Sequence, residues 1–275
     1  MCDSFGQKGS LALGGCLSRM ANLKNLILDL DKNRFDSQTI SNLGSSFDKC
    51  LSILTLNLNL KKNKIRDKGA SGLVQFFSNL QNLQNLKLDL KQNKINDKGM
   101  LGFSAGIAGC KNLSSLQLDL KYNKLWRSGI YQISQFLKDC SNLINLDINL
   151  SNNKIGALGS SNLGIQIANC QCLSNLKLDI SYNKILDKGI SVLSLSLEKC
   201  KNLNTLTLDI IKNYINKEGE DQLGASLKKC LSLKYFKINL SYNINFGVRE
   251  FQTNVLKIKK LVKKSIFFYN ARYRY

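Results

Sequence analysis

Residues 83–99 read LQNLKLDLKQNKINDKG, and this stretch decides the fold. Leu86, Leu88 and Leu90 alternate with Lys87 and Asp89, a period of two that predicts a strand with one buried face. Asn93 follows Leu90 by three residues, and Leu83 precedes Leu86 by three. The arrangement recurs in both directions. Asparagine stands at 33, 63, 93, 123, 153, 183, 213 and 243, always 30 residues apart. Ten, seven, five and three residues before each lies an apolar side chain, from Leu23, Leu26, Leu28 and Leu30 to Leu233, Phe236, Ile238 and Leu240. All 32 such positions are apolar, which chance cannot produce.

After each asparagine a second rhythm begins. Ala70, Leu73, Phe77 and Leu80 recur at helical spacing, as do Leu163, Ile167 and Cys170. Asp67, Asp97 and Asp187 sit just before such segments and are expected to cap them. Gly69, Gly99, Gly129, Gly159, Gly189 and Gly219 mark a fixed backbone point at the helix start. Each unit is strand, turn, helix and return loop. One 30-residue unit cannot bury its own leucines, but stacked units can. The fold class is therefore α/β, with parallel strands ~4.8 Å apart. Helices are wider than strands, so the stack curves, strands concave and helices convex. Strands are expected near 26–30, 56–60 and on to 236–240, with helices centred near 43–48 and its repeats.

The unit L-x-x-L-x-L-[DN]-L-x-x-N-K-[IL]-x-x-x-G resembles the leucine-rich repeat, in its long strand-plus-helix, ribonuclease-inhibitor-like form. The resemblance covers roughly residues 9 to 248. The usual spacing is L-x-x-L-x-L-x-x-N. The extra [DN]-L step here, as in Asp89-Leu90, is similar to repeats common in ciliate proteins, where such arrays sometimes accompany kinase domains. No kinase motif occurs in this chain. The resemblance implies a leucine-rich-repeat solenoid, or horseshoe, in which each asparagine side chain satisfies backbone groups at the turn.

Three segments follow. Residues 1–22 read as the helix half of a repeat, with Gly9, Leu13, Leu17 and Met20 in phase with later helices. Residues 23–248 hold eight repeats. Residues 249–275 form a basic, aromatic segment read as a degenerate cap. There Gly247 comes two residues early, and Leu261, Ile266 and Phe268 suggest one closing strand.

Composition narrows function. The absence of histidine excludes Ser-His-Asp and Cys-His nucleophile systems and zincin motifs. The absence of a long apolar run argues against a membrane-spanning helix. The formal charge of +21 favours acidic partners, while abundant Lys, Asn, Ile, Tyr and Phe fit an A+T-biased genome equally. Nine cysteines, an odd number, and no signal-peptide-like start point to a reducing, intracellular setting, cytoplasmic with the nucleus as alternative. Three N-x-S matches, at Asn112, Asn149 and Asn239, each straddle a strand leucine and read as chance.

Registered columns carry the remaining signal. Cys50, Cys110, Cys140, Cys170, Cys200 and Cys230 share one position with Leu80, so they read as buried hydrophobes and no metal is expected. Cys2, Cys16 and Cys172 lie outside that column and are freer to react. Asp29, Asn59, Asp89, Asp119, Asn149, Asp179, Asp209 and Asn239 face the concave side. Adjacent carboxylates there would repel by ~3–4 kcal/mol, and nearby Lys87, Lys91, Lys121 and Lys177 suggest a self-neutralised ladder. Arg34, Lys64, Lys94, Lys124, Lys154 and Lys184 make a basic column past the strand. Trp126 interrupts the Asp-Lys-Gly run of its unit, as a local packing change or an anchor.

The expected function is non-catalytic binding of another protein, as a scaffold or recognition module, with no cofactor. The expected contacts are Lys61, Lys91, Lys121, Tyr122, Tyr182 and Tyr242 on the concave face and rim. Two alternatives stand beside it. One is binding of nucleic acid or an anionic surface through the basic rim and the tail, which includes Lys257, Lys259, Lys260, Lys263, Lys264, Arg272 and Arg274. The other is inhibition or activation of a partner enzyme. The chain is read as monomeric or as part of a longer protein.

Overall fold

Among the described residues, nine parallel strands pair in strict chain order in this computed structural model. It describes residues 6–45, 47, 50–244, 248–258 and 261–267. Cys2, Gly247, Lys259, Lys260, Phe268, Arg272 and Arg274 lie outside the described residues.

The strands are β1 Asn25–Asp29, β2 Thr55–Asn59, β3 Asn85–Asp89, β4 Ser115–Asp119, β5 Asn145–Asn149, β6 Asn175–Asp179, β7 Thr205–Asp209, β8 Tyr235–Asn239 and β9 Lys263–Phe267. Register is fixed by the repeat, so Leu26 pairs with Leu56 and Leu56 with Leu86. The last step is two residues shorter, pairing Ile238 with Ile266. Each strand begins and ends one residue earlier than expected. Leu30, Leu60 and their equivalents turn off the strand, although each N–H still donates to the next unit, as from Leu60 to Asp89 O at 2.9 Å.

Helices line the other side: α1 Gly6–Leu17, α2 Ser37–Ser45, α3 Arg66–Gly72, α4 Val74–Phe77, α5 Asp97–Ala108, α6 Arg127–Asp139, α7 Gly156–Ile167, α8 Leu186–Leu197, α9 Lys217–Lys228 and α10 Val248–Leu256. Their centres fall several residues before the expected ones, because each helix starts directly at the turn. Between the layers runs one continuous core, from Leu17 to Ile258. Phe47, Phe76, Phe77 and Phe103 are fully buried and stack along it, with centroids 4.8 to 6.4 Å apart. In α1 only Leu17 of the phased apolar set is buried, with Leu13 partly so, and Met20 is 47% exposed.

The glycine column allows helices to approach. A Cβ on Gly99 would stand 3.0 Å from the Asp67 Cα of the preceding unit, tighter than ordinary packing permits.

The asparagines behave as the resemblance implies. Asn123 is buried, and its Nδ2 donates to Leu90 O at 3.0 Å and Leu120 O at 2.9 Å. Its Oδ1 accepts from Asn93 N and Ile95 N. One side chain thus ties two units together, and without it the buried N–H groups of Asn93 and Ile95 would lose their acceptor.

Asp67, Asp97 and Asp187 do not cap their own helices. Each reaches into the next unit and accepts the N–H of Asn96, Trp126 or Asn216, at 2.7, 2.7 and 2.8 Å. Those three residues are extended, with φ of −117°, −112° and −103°. Asn96 and Asn216 in turn cap α5 and α9. Where the preceding unit has Ser37, Arg127 or Ala157 at the Asp position, the next unit's residue is left-handed instead. Arg66, Gly156 and Leu186 have φ of +53°, +63° and +61°. Their N–H groups donate to the carbonyls of Asn93, Asn183 and Asn213. The array therefore uses two turn forms, chosen one repeat earlier in the sequence.

Candidate functional site

Three side-chain columns of each strand face away from the helices, and a fourth and fifth continue onto the turn. The strand-end column is Asp29 and its equivalents, half-buried except at Asp29. In seven of the eight units the side-chain oxygen accepts the N–H two residues on, as Lys91 N to Asp89 at 2.9 Å and Lys121 N to Asp119 at 2.8 Å, Asp209 being the exception. Asparagines complete the column, Asn59 Nδ2 donating to Asp29 and Asn149 Nδ2 to Asp119. Burial pushes the carboxyls of Asp89, Asp119 and Asp209 above the ordinary carboxylate range, against the pull of nearby lysines. Asp89 and Asp119 are thus committed to shaping the turn.

The turn column reads Asp31, Lys61, Lys91, Lys121, Ser151, Ser181, Ile211 and Ser241. Next to it stand Lys32, Lys62, Gln92, Tyr122, Asn152, Tyr182, Lys212 and Tyr242, all left-handed with φ between +52° and +59°. Left-handed backbone is uncommon for such residues. From Lys32 to Lys212 it is held because the N–H reaches the next turn, as Tyr122 N to Ser151 O at 3.1 Å and Tyr182 N to Ile211 O at 2.8 Å.

This geometry places the three tyrosines on the rim of turns rather than on the strand face. All three are exposed. Lys91 Nζ and Lys121 Nζ lie 5.7 and 5.1 Å from the Tyr122 ring centroid, within cation–π range. Lys61 continues the same column and acts electrostatically on Asp89. Lys61, Lys91, Lys121 and Tyr122 are thereby gathered in adjacent units. Tyr182 has Lys212 at 5.6 Å. Tyr182 and Tyr242 lie two and four units further along the row and do not join that cluster.

From the middle of the strands, sequence reasoning used only Lys87 and Lys177, as counter-charges to the acidic column, and missed the column they belong to. Ile27, Asn57, Lys87, Gln117, Asp147, Lys177, Thr207 and Lys237 form the floor of the concave face, and they vary in charge far more than the Asp/Asn column. Ile27 is 73% exposed. A shallow depression of about 310 Å³ crosses this floor beside Gln117, Asp147, Lys177 and Thr207. Lys177 pairs with Asp147 at 3.0 Å. The signal was present in the alternation itself, since any residue between two buried leucines shares the outer face.

The thiols of the cysteine column are buried and free, whereas Cys16 and Cys172 are exposed. Burial raises the Cys110, Cys170 and Cys230 thiols to about 12, so they stay protonated at neutral pH. Among the described residues no three His, Cys, Asp or Glu side chains converge as a metal site. No helix there is long and apolar enough to cross a membrane.

Three stretches, 54–74, 82–104 and 172–194, match the family model described as Leucine Rich repeat. They fall in one phase of the 30-residue array to within two residues. Among curated proteins none matches the chain. Among solved structures, the chain is similar to internalin C2 of Listeria monocytogenes at 20% identity and a TM-score of 0.52, covering 92% of this chain and 84% of that one. Internalin F of the same organism aligns at 17% identity and a TM-score of 0.31, covering 98% and 96%.

Proposed function

We propose that this chain, a leucine-rich repeat protein, is a non-catalytic module that holds a partner protein against its concave sheet and rim of turns. One observation carries the reading. A rigid row with fixed backbone changes its side chains from Lys61, Lys91 and Lys121 to Ser151 and Ser181, while exposed Tyr122, Tyr182 and Tyr242 punctuate it at alternate units. Exposed tyrosine beside lysine suits a protein interface, offering apolar area with a polar tip at modest ordering cost. The floor column from Ile27 to Lys237 extends the same surface. Asp29, Asp89, Asp119 and Asp179 are engaged in turn hydrogen bonds, whereas acid–base catalysis needs groups free to meet a substrate. Free thiols, two of them exposed, support an intracellular setting, in the cytoplasm or nucleus. The helices of every described unit support the ribonuclease-inhibitor-like subtype. The division into 1–22, 23–248 and 249–275 is retained within this proposal.

A second reading rests on Lys61, Lys91 and Lys121 together with exposed Lys257, Lys263 and Lys264, which suit nucleic acid or another anionic surface. It requires steep salt dependence. Regulation of an enzyme is the special case in which the bound protein is one.

The test is affinity capture from the native cell at two salt concentrations, followed by measurement of the captured protein against variants. Replacing Tyr122, Tyr182 and Tyr242 together by Ala is expected to weaken binding by more than about 1 kcal/mol without altering the fold. Removing 249–275 is not a clean comparison, because Phe251, Val255 and Ile258 are buried and β9 pairs with β8. Changing Lys257, Lys263 and Lys264 to Gln is the cleaner one. Binding that survives the tyrosine changes and is lost with those lysines overturns the concave-face reading.

A further inference from the structure

The chain's single tryptophan lies at a change of turn form. Asp97 holds Trp126 in the extended form, accepting its N–H at 2.7 Å. One unit later Arg127 stands where that Asp would be, and Gly156 takes the left-handed form at φ +63°. A Cβ at Gly156 would meet nothing within 4 Å. Beside the Trp126 ring there is therefore an open pocket of about 580 Å³, lined by Trp126, Ile155, Gly156, Ala157 and Leu158. Trp126 and Leu158 are 54% and 60% exposed.

The polar rim is net positive. Asp97 lines the pocket, but one oxygen accepts from Trp126 N and the other from the Ser128 hydroxyl, so its carboxylate is engaged. Arg127 and Lys154 also line it, and among the described residues neither takes part in an ion pair. Lys154 Nζ instead sits 5.1 Å from the Trp126 ring centroid. With two cations against one turn-bound carboxylate, the rim is net positive, and an apolar floor beneath it fits a ligand that is apolar at its centre and anionic around it.

We infer that this pocket anchors one bulky apolar side chain of a partner protein, within a segment that flanks it with Asp or Glu. The inference rests on the reading of the chain as a protein-binding module. It adds an anchor outside the row of tyrosines. Partner segments lose affinity when a central apolar anchor loses its pocket.

The experiment uses the full chain and displayed random heptapeptides. Selected sequences are synthesised and titrated while the emission of Trp126, the sole tryptophan, is followed. The expected peptides carry Leu, Ile or Phe beside acidic residues and change that emission saturably. Their affinity is expected to fall about tenfold with Gly156→Leu or with Arg127→Glu. Leucine is compatible with the turn, since Leu186 occupies the equivalent place at φ +61°. The triple tyrosine variant is expected to bind them unchanged. Peptides that lack the acidic–apolar pattern, or that ignore both substitutions, overturn the inference. So does oligothymidylate that displaces them, which would mark a nucleic-acid site. Peptides sensitive to the tyrosine changes alone overturn this anchor while supporting the concave-face reading.

Discussion

The N–H of Trp126 donates to the carboxylate of Asp97 across 2.7 Å, although 29 residues separate the two in the chain. The same bond joins Asp67 to Asn96 and Asp187 to Asn216. Where Asp is missing, the next turn is left-handed and its N–H turns forward to an asparagine carbonyl. One residue type in one unit thus sets the backbone of the next, and with it the shape of the rim that a partner would meet.

Asp97→Ala should therefore destabilise the array by about 1.5–3 kcal/mol, the range for a hydrogen bond to a charged group. It should also shift the emission of Trp126, as that residue moves toward the form seen at Arg66 and Gly156. Urea unfolding read by circular dichroism, beside the native emission spectrum, checks both. An unchanged spectrum with unchanged stability would show that the turn form does not depend on Asp97.

Asn123→Ala removes four hydrogen bonds at once, two given to Leu90 O and Leu120 O and two taken from Asn93 N and Ile95 N. The two buried N–H groups are left without an acceptor, while Leu90 O and Leu120 O keep the amides of Asn93 and Asn153, so the expected loss is about 3–5 kcal/mol. Asn57→Ala, on the half-exposed strand floor, should stay within about 0.5 kcal/mol. Equal losses at the two positions would contradict the ladder.

The strands, the core and the asparagine ladder were legible because they depend on residues that recur at fixed spacing. Leu86, Leu88 and Leu90 announce a buried face, and Asn93 announces the turn after it. The role of Asp97 was not legible, because a capping rule looks two or three residues ahead and this bond looks 29. Tyr122 was recognised as exposed, but its left-handed backbone depends on the Ser151 carbonyl of the next unit. Asn57 and Asp147 on the floor were not legible as part of a surface, because the regular Asp/Asn column beside them carries the repeat signal, while variation marks the surface that distinguishes one unit from another. The pocket beside Trp126 needed two neighbouring turns of different form, which no single unit reveals.

Cysteine reactivity should divide sharply. With Cys2 changed to Ser, iodoacetamide at pH 8 is expected to label Cys16 and Cys172 and to spare the column until denaturant is added. A thiol raised to about 12, as Cys110 is, holds roughly one thiolate in ten thousand at that pH, besides being shielded. Cys140→Leu should cost less than about 1.5 kcal/mol, since Leu80 already fills the same place in another unit. Counting labels by mass spectrometry decides the first point, and urea unfolding the second. Rapid labelling of Cys110 in the native chain would refute the buried-thiol assignment.

The strand-end column makes a prediction about acid whose sign is fixed by burial. Asp119 is raised above its ordinary value of 3.8, first by desolvation, with the hydrogen bond from Lys121 N and the charges of Lys91 and Lys121 opposing. The folded chain therefore holds this proton more tightly than the unfolded one. Stability contributed here is lost as pH rises from 3.8 through the folded value, and the ionised carboxylate is a liability at neutral pH. Asn149 shows that an amide makes the same turn, accepting from Ser151 N at 3.0 Å. Asp119→Asn should accordingly raise the urea midpoint at pH 7, with an advantage that shrinks on acidification and vanishes below about 3.8. Asp36 provides the opposite sign. Its carboxylate accepts the N–H and hydroxyl of Thr39 at the start of α2, which holds it below the ordinary range. Asp36→Ala should destabilise at pH 7, and the gap should close as pH falls below the ordinary value. If Asp119→Asn instead lowers the midpoint at neutral pH, attraction to Lys91 and Lys121 outweighs desolvation, and the column is a stabilising charge ladder after all.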